Sequence, residues 1–370
     1  MKRLNYIDGL KGWCAVSVCL MHFQLMFVIN GYIGWKCLPE AALNPFEYYF
    51  KWFPYSILTN NSFPLYIFFA LTSFIVSYTF LTNKNEDKIK QKIMIRYFRF
   101  LPLVLISCFV AYLLLTFKLC PLQEFYDITG NTWGYARLEE SYTFLDMLKI
   151  GFFTSFFEGT QLVSPFWCLH YIFLGSMLSF IMMLLYTKAD NKIFFFGSAI
   201  LMFYFVDQNY LAFIIGLIAG VLATKEYSLT KTKGALLVVV GCILGLFPPV
   251  LLPSFINVVT LYALGAGFII VGIHCRFSNH RLLCNKFAEF LGKESLALIV
   301  WQFLIMQSLN ICIYNYCYSI GLSNPMNIAI NFIINMGVSI FLTWVSAKTI
   351  TPLTNYICNR VKLLQWKYAP

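Results

Sequence analysis

Apolar runs long enough to cross a bilayer recur along this chain, and they limit its fold more than any other feature. A helix needs about 20 apolar residues to span about 30 Å of hydrocarbon. Such runs are read at 10–29, 62–82, 93–117, 165–187, 193–207, 209–224, 234–253, 255–275, 295–319 and 327–347. Lipid offers backbone N–H and C=O groups no partner, so each run must satisfy its own hydrogen bonds as a helix. The expected fold is an all-α, polytopic transmembrane helix bundle of about ten helices, forming one membrane domain over residues 1–350 with a short cytoplasmic tail at 351–370. The fifth run is short, and only Pro248, Pro249 and Pro253 separate the seventh from the eighth, so nine and eleven spans stay open. Composition agrees, with 59% hydrophobic and 12% charged residues, whereas about a quarter of a soluble domain is charged.

Charge placement gives an orientation. Lys and Arg collect in cytoplasmic loops, and with the N-terminus inside, 22 of the 27 Lys and Arg residues fall on the inner side. Both termini are therefore expected in the cytoplasm. The net charge of +11 is then accounted for by topology and by attraction to anionic lipid. No basic block with interleaved aromatics points to nucleic acid. The start, Met1 to Asp8, carries no small-residue cleavage site, so the first span is read as a retained helix.

The twelve cysteines are scattered and none forms Cys-x-x-Cys, which argues against zinc or thioredoxin-like chemistry. No metal site is expected. Cys37 and Cys120 both fall in outer loops and can pair on an oxidising side, although free thiols are favoured. Two outer loops are long. Residues 30–61 carry Tyr32, Trp35, Tyr48, Tyr49, Trp52 and Tyr55, and 118–164 carries Trp133, Tyr135 and most outer carboxylates. Such rings suit sugar stacking and equally an interfacial aromatic belt. Residues 144–157 read as a short amphipathic helix at the outer interface.

Chemistry-bearing residues are few. Arg96 and Arg99 stand at i and i+3 on one helix face at the mouth of the third run, where two planar, permanently charged forks suit phosphate oxygens; snorkelling to lipid headgroups is the plainer use. His22 lies about eleven residues into the first run. An imidazole at that depth is costly unless it meets a polar cavity or partner, which makes it a candidate general base. His170 is a second candidate base or a hydrogen-bond donor within the bundle. His274 and His280 are read as ordinary cytoplasmic residues. Asp8 and Lys11, one turn apart, either pair or help hold an anion. HExxH, GxSxG, P-loop and GxGxxG motifs are absent from the sequence, which removes the anchors for soluble-type hydrolase and nucleotide-binding readings.

The order Asp8-Gly9-Leu10-Lys11-Gly12, His22, Phe68-Phe69-Ala70-Leu71-Thr72-Ser73-Phe74, and Arg96-x-x-Arg99 with Pro102 resembles the acyltransferase 3 family of integral membrane acyltransferases. Trp167-Cys168-Leu169 with Gly175-Ser176, and Leu291-Gly292-Lys293-Glu294-Ser295-Leu296-Ala297-Leu298, extend the resemblance over about residues 5–305. It implies a membrane O-acyltransferase that moves an acyl group, with acetyl expected, from cytoplasmic acyl-CoA as co-substrate to a hydroxyl of a cell-surface or lipid-linked glycan. His22 would be catalytic, and Arg96 and Arg99, with Lys11, would bind the acyl donor. Asp8, Ser73, Trp167, His170 and Gln302 would bind substrate or support the site. The expected location is a bacterial inner membrane. Four positions depart from the family pattern: Lys11 replaces Arg, Thr72-Ser73 replaces Ser-Gly, Ile172 replaces Glu, and Gln302 replaces His. The alternatives are an exporter of a glycan or lipid precursor, in which His22 and the arginines line a path, and a family member that binds without catalysing.

Overall fold

The computed structural model describes residues 4–28, 62–131, 142–159, 162–225, 231–247, 252 and 257–368. The loop aromatics Tyr32 to Tyr55, Trp133, Tyr135, Cys37 and the three prolines at 248, 249 and 253 lie outside them. Among the described residues there are helices and turns and no strands. The helices are α1 Asn5–Phe27, α2 Phe63–Asn83, α3 Glu86–Thr116, α4 Leu122–Thr129, α5 Phe144–Lys149, α6 Phe166–Lys188, α7 Lys192–Val206, α8 Leu211–Thr224, α9 Lys231–Gly245, α10 Val258–Arg276, α11 Arg281–Cys284, α12 Lys286–Lys293, α13 Ser295–Ile305, α14 Ile311–Ser319, α15 Asn324–Lys348 and α16 Ile350–Tyr368.

Seven helical segments among these residues are long and apolar enough to cross a membrane: α1, α2, α3, α6, α10, the run Ser295–Ser319 and the run Asn324–Leu363. The chain is thus a multi-pass membrane protein. Helices α7, α8 and α9 cover three further expected runs but have 15, 14 and 15 residues. At 1.5 Å per residue each reaches only about 22 Å. Their lengths have local causes. Asp207 ends α7, its side chain accepting from Asn209 N at 2.9 Å to start a 3₁₀ turn at Gln208–Tyr210, and α9 stops just before Phe247-Pro248-Pro249. The segment expected as an amphipathic helix at 144–157 is helical with a change of pitch. Thr143 and Asp146 form a capping box at its start, and Ile150–Thr154 then widens to a π-turn before Ser155–Phe157.

The chain divides into two compact units. The first comprises residues 1–15, 62–96 and 171–293. Its helices pack through glycine. A Cβ on Gly216 would lie 2.1 Å from the Ala70 carbonyl oxygen and 2.2 Å from Ser73 Oγ, and one on Gly220 would lie 1.9 Å from Ser77 Oγ. Helices α2 and α8 therefore meet backbone to backbone, which suits a bilayer, where association relies on close packing rather than on exclusion of water. Helices α9 and α10 repeat the device with Gly241 against Gly265 and Gly234 against Gly272.

The second unit comprises residues 16–61, 97–170 and 294–370. Phe27, Phe125 and Tyr314 form an aromatic cluster with centroids 5.1–5.6 Å apart. Asn131 Nδ2 donates to the Leu25 and Met26 carbonyls at 2.8 and 2.7 Å, serving orphan acceptors at the end of α1. The segment expected as a tail is helical from Ile350 to Tyr368, and Thr354 and Cys358 on it are buried.

Candidate functional site

In the first unit the structure brings together two motifs about 280 residues apart in sequence. A Cβ on Gly9 would lie 1.9 Å from the Leu283 carbonyl oxygen, one on Gly12 2.4 Å from the Ala288 carbonyl oxygen, and one on Gly292 1.7 Å from the Asp8 carbonyl oxygen. Only glycine admits such approaches. Trp13 Nε1 donates to the Leu282 carbonyl at 2.8 Å, and Tyr6 Oη is hydrogen-bonded to His274 Nδ1 at 2.6 Å. The Asp8 to Gly12 segment is thereby seated on α11 and α12. His274, read from sequence as unremarkable, anchors Tyr6, and His280 caps α11 through its ring, accepting from Leu282 N at 3.3 Å. Lys11 Nζ stands 5.9 Å from the centroid of the Phe68 ring, a weak cation–π contact. Ser73 is fully buried and donates to the Ala70 carbonyl at 3.0 Å; together with its closeness to Gly216 this makes it a packing residue.

Arg96 has a built environment. Its Nε donates at 2.8 Å to Ser176 Oγ, and that hydroxyl, 0% exposed, donates in turn to the Phe173 carbonyl at 2.7 Å. The Ser176 hydroxyl thus spends its proton on the backbone and presents a lone pair to the arginine, which fixes the plane of the guanidinium. The neighbouring Gly175 leaves room for the Phe213 ring, 2.4 Å from where its Cβ would stand. Arg99 lies three residues on along the same helix, which runs without a break through Pro102.

In the second unit His22 is 5% exposed, and the Phe303 ring on α13 meets it edge-on with centroids 6.0 Å apart. His170 Nδ1 lies 3.3 Å from the Phe156 carbonyl. A carbonyl can only accept, so Nδ1 is the donor in this contact. Trp167 is 42% exposed at the start of α6. At the N-terminal end of α13, Glu294 accepts from Thr351 Oγ1 at 2.9 and 3.2 Å. Burial raises its carboxyl above the ordinary glutamate range, while the Thr351 hydrogen bond and the Arg99 charge oppose the rise.

Gln302 is 0% exposed and heads a feature that sequence reasoning missed. Its Nε2 donates to Asn335 Oδ1 at 3.1 Å; Asn335 Nδ2 donates to Asn310 Oδ1 at 2.9 Å; Asn310 Nδ2 donates to Asn331 Oδ1 at 2.9 Å; Asn331 Nδ2 donates to Asn327 Oδ1 at 2.8 Å; and Asn327 Nδ2 ends on the Tyr314 carbonyl at 3.0 Å. Five buried side-chain amides thus form a single relay. Below it Ser339 and Thr343 continue the buried polar line on α15, and Ser346 accepts from Trp301 Nε1 at 2.6 Å. The available signal was the spacing Asn327, Asn331, Asn335, Ser339, Thr343 inside an apolar run, a polar stripe at nearly the helical period.

Chemically, the first unit offers an arginine whose Nε is tied to a buried serine, and the second offers a buried imidazole and a buried amide relay. No family model, curated protein or solved structure matches the chain.

Proposed function

We propose that this protein is a membrane O-acyltransferase that carries an acyl group, with acetyl the expected one, from cytoplasmic acyl-CoA to a hydroxyl of a cell-surface or lipid-linked glycan. The observation that carries the reading is Arg96 held in plane by the buried Ser176, with Arg99 one turn further along α3. Rigid placement of a planar fork suits bidentate recognition of phosphate oxygens, and the motif order read from the sequence supplies the chemistry. In this reading Arg96 and Arg99 bind the CoA phosphates. His22 takes the proton of the acceptor hydroxyl as its oxygen attacks the thioester carbonyl; the C–O bond forms, the C–S bond breaks, and CoA leaves as a thiol after protonation. The proposal includes ten spans, with α7, α8 and α9 as short crossings, both termini cytoplasmic and a bacterial inner membrane. Incubating membranes that contain the protein with labelled acetyl-CoA tests it. Label should enter a glycan fraction with wild type and fall at least a hundredfold with His22→Ala, the usual scale for loss of a general base. Unchanged labelling by a folded His22→Ala protein would sink the reading.

One observation favours a second reading, an exporter of a glycan or lipid precursor. The buried polar line on α15 is of the kind that marks polar routes in transporters. Flux of substrate without release of CoA thiol would select it.

A further inference from the structure

The amide relay has a fixed direction and an open head. The three middle links are each tied to a backbone carbonyl as well as to the next side chain, and the last is tied to a backbone carbonyl alone. Asn331 Nδ2 also donates to the Asn327 carbonyl at 3.0 Å, Asn310 Nδ2 to the Asn331 carbonyl at 2.8 Å, and Asn335 Nδ2 to the Gln302 carbonyl at 3.2 Å, while Asn327 Nδ2 ends on the Tyr314 carbonyl. Carbonyls only accept, so none of these amides can flip without setting acceptor against acceptor. Direction passes up the relay to Gln302, whose Nε2 is committed to Asn335 Oδ1, with Met306 Sδ 3.7 Å away. Gln302 Oε1 is left as a buried acceptor that no group among the described residues supplies with a hydrogen. A buried polar atom in that state costs about 1–3 kcal/mol, a cost removed when a donor arrives.

The surroundings of Gln302 point to a ligand. Phe303, the next residue, packs against His22. One turn further on the helix widens into a π-turn at Met306–Asn310, the kind of interruption that recurs at functional sites. We propose that Gln302 Oε1 accepts a hydrogen bond from a hydroxyl of a polyol ligand, and that the relay from Asn335 to Asn327 holds the amide in the orientation that receives it. The choice of a polyol rests on the transferase reading above, in which a glycan hydroxyl is the acceptor. Gln302 is then a substrate-binding residue, and Asn335, Asn310, Asn331 and Asn327 are positioning residues that act through it.

The test reads binding, so it remains meaningful if the transferase reading fails, a failure that would show separately as no release of CoA thiol. Full-length protein in lipid nanodiscs is unfolded thermally with increasing n-octyl β-glucoside, and in parallel with the same glucoside O-methylated at every hydroxyl. The free glucoside should raise the wild-type midpoint by about 5 °C at about a hundredfold excess over Kd, and the methyl ether should raise it far less. Gln302→Met, which keeps the length and removes both polar atoms, should lose the shift. Gln302→Glu should keep it, because a neutral carboxyl donates to Asn335 and still presents an acceptor. Equal shifts from the glucoside and its ether, no shift in wild type, or an undiminished shift in Gln302→Met overturns the proposal. If Gln302→Met does not fold, the wild-type contrast between glucoside and ether decides.

Discussion

The hydroxyl of Ser176 sets what Arg96 can do, because taking the Nε–H leaves the two Nη groups as the fork that a phosphate can meet. Ser176→Ala should weaken acetyl-CoA binding about three- to tenfold, in line with a net 0.5–1.5 kcal/mol for one hydrogen bond, and calorimetric titration checks this. Ser176→Thr should restore much of it. Two carboxyl groups outside the spans make opposite contributions with pH. Asp146 is held below the ordinary carboxylate range by its hydrogen bonds from Thr143, so its stabilising effect is complete above the unfolded value and is lost as pH falls through the folded one. Glu294 is raised, chiefly by burial. The folded state then binds the proton more tightly than the unfolded state, and Glu294's contribution is lost as pH rises from the ordinary glutamate range through the folded value. Melting curves across that window should slope downward with pH for wild type and less so for Glu294→Gln; equal slopes would remove Glu294 from the account.

Helices in this protein associate by two devices that sequence displays unequally. Glycine contacts are the first. Gly216→Val drives a side chain into the Ala70 carbonyl, where no flexible group can yield, and should cost about 1–3 kcal/mol by overpacking, read as a lower midpoint in nanodiscs. Gly197→Val should cost much less, because nothing lies within 4 Å of where its Cβ would stand. The second device is the amide relay, in which Asn331→Leu leaves the Asn310 and Asn327 amides short of partners and should cost a further 1–3 kcal/mol or so. Seven of the ten expected runs coincide with helices long and apolar enough to cross a membrane, because long apolar runs carry a strong signal, and the other three contain shorter helices. Helix ends were less legible. The first run was read from residue 10, yet α1 begins at Asn5, since Tyr6 and Trp13 are held there by distant residues of α10 and α11. The partners of Arg96 and Gln302 were illegible for the same reason: Ser176 is 80 residues away and Asn335 is 33, and spacing within one helix cannot announce which helix will face it.

At the scale of the whole molecule, hydropathy and charge supply the many crossings, whereas the two-unit division has no counterpart in composition. No linker or change of residue usage marks it, because each unit is assembled from three separate stretches of chain. The ten-span orientation predicts that cysteines placed at Asn85 and at Lys118 label from opposite sides of a sealed membrane, and labelling from the same side would remove it. The central claim is acyl transfer from CoA, and the most direct measurement is titration of acetyl-CoA into the detergent-purified protein with parallel detection of free CoA thiol. Wild type should bind and turn over. The Arg96→Ala/Arg99→Ala double variant should lose binding by about a hundredfold or more, as expected for two charge-assisted contacts of about 1.5–3 kcal/mol each, and His22→Ala should bind as wild type does while releasing no thiol. Three proteins that bind and react alike, or a wild type that binds no acetyl-CoA, would contradict it.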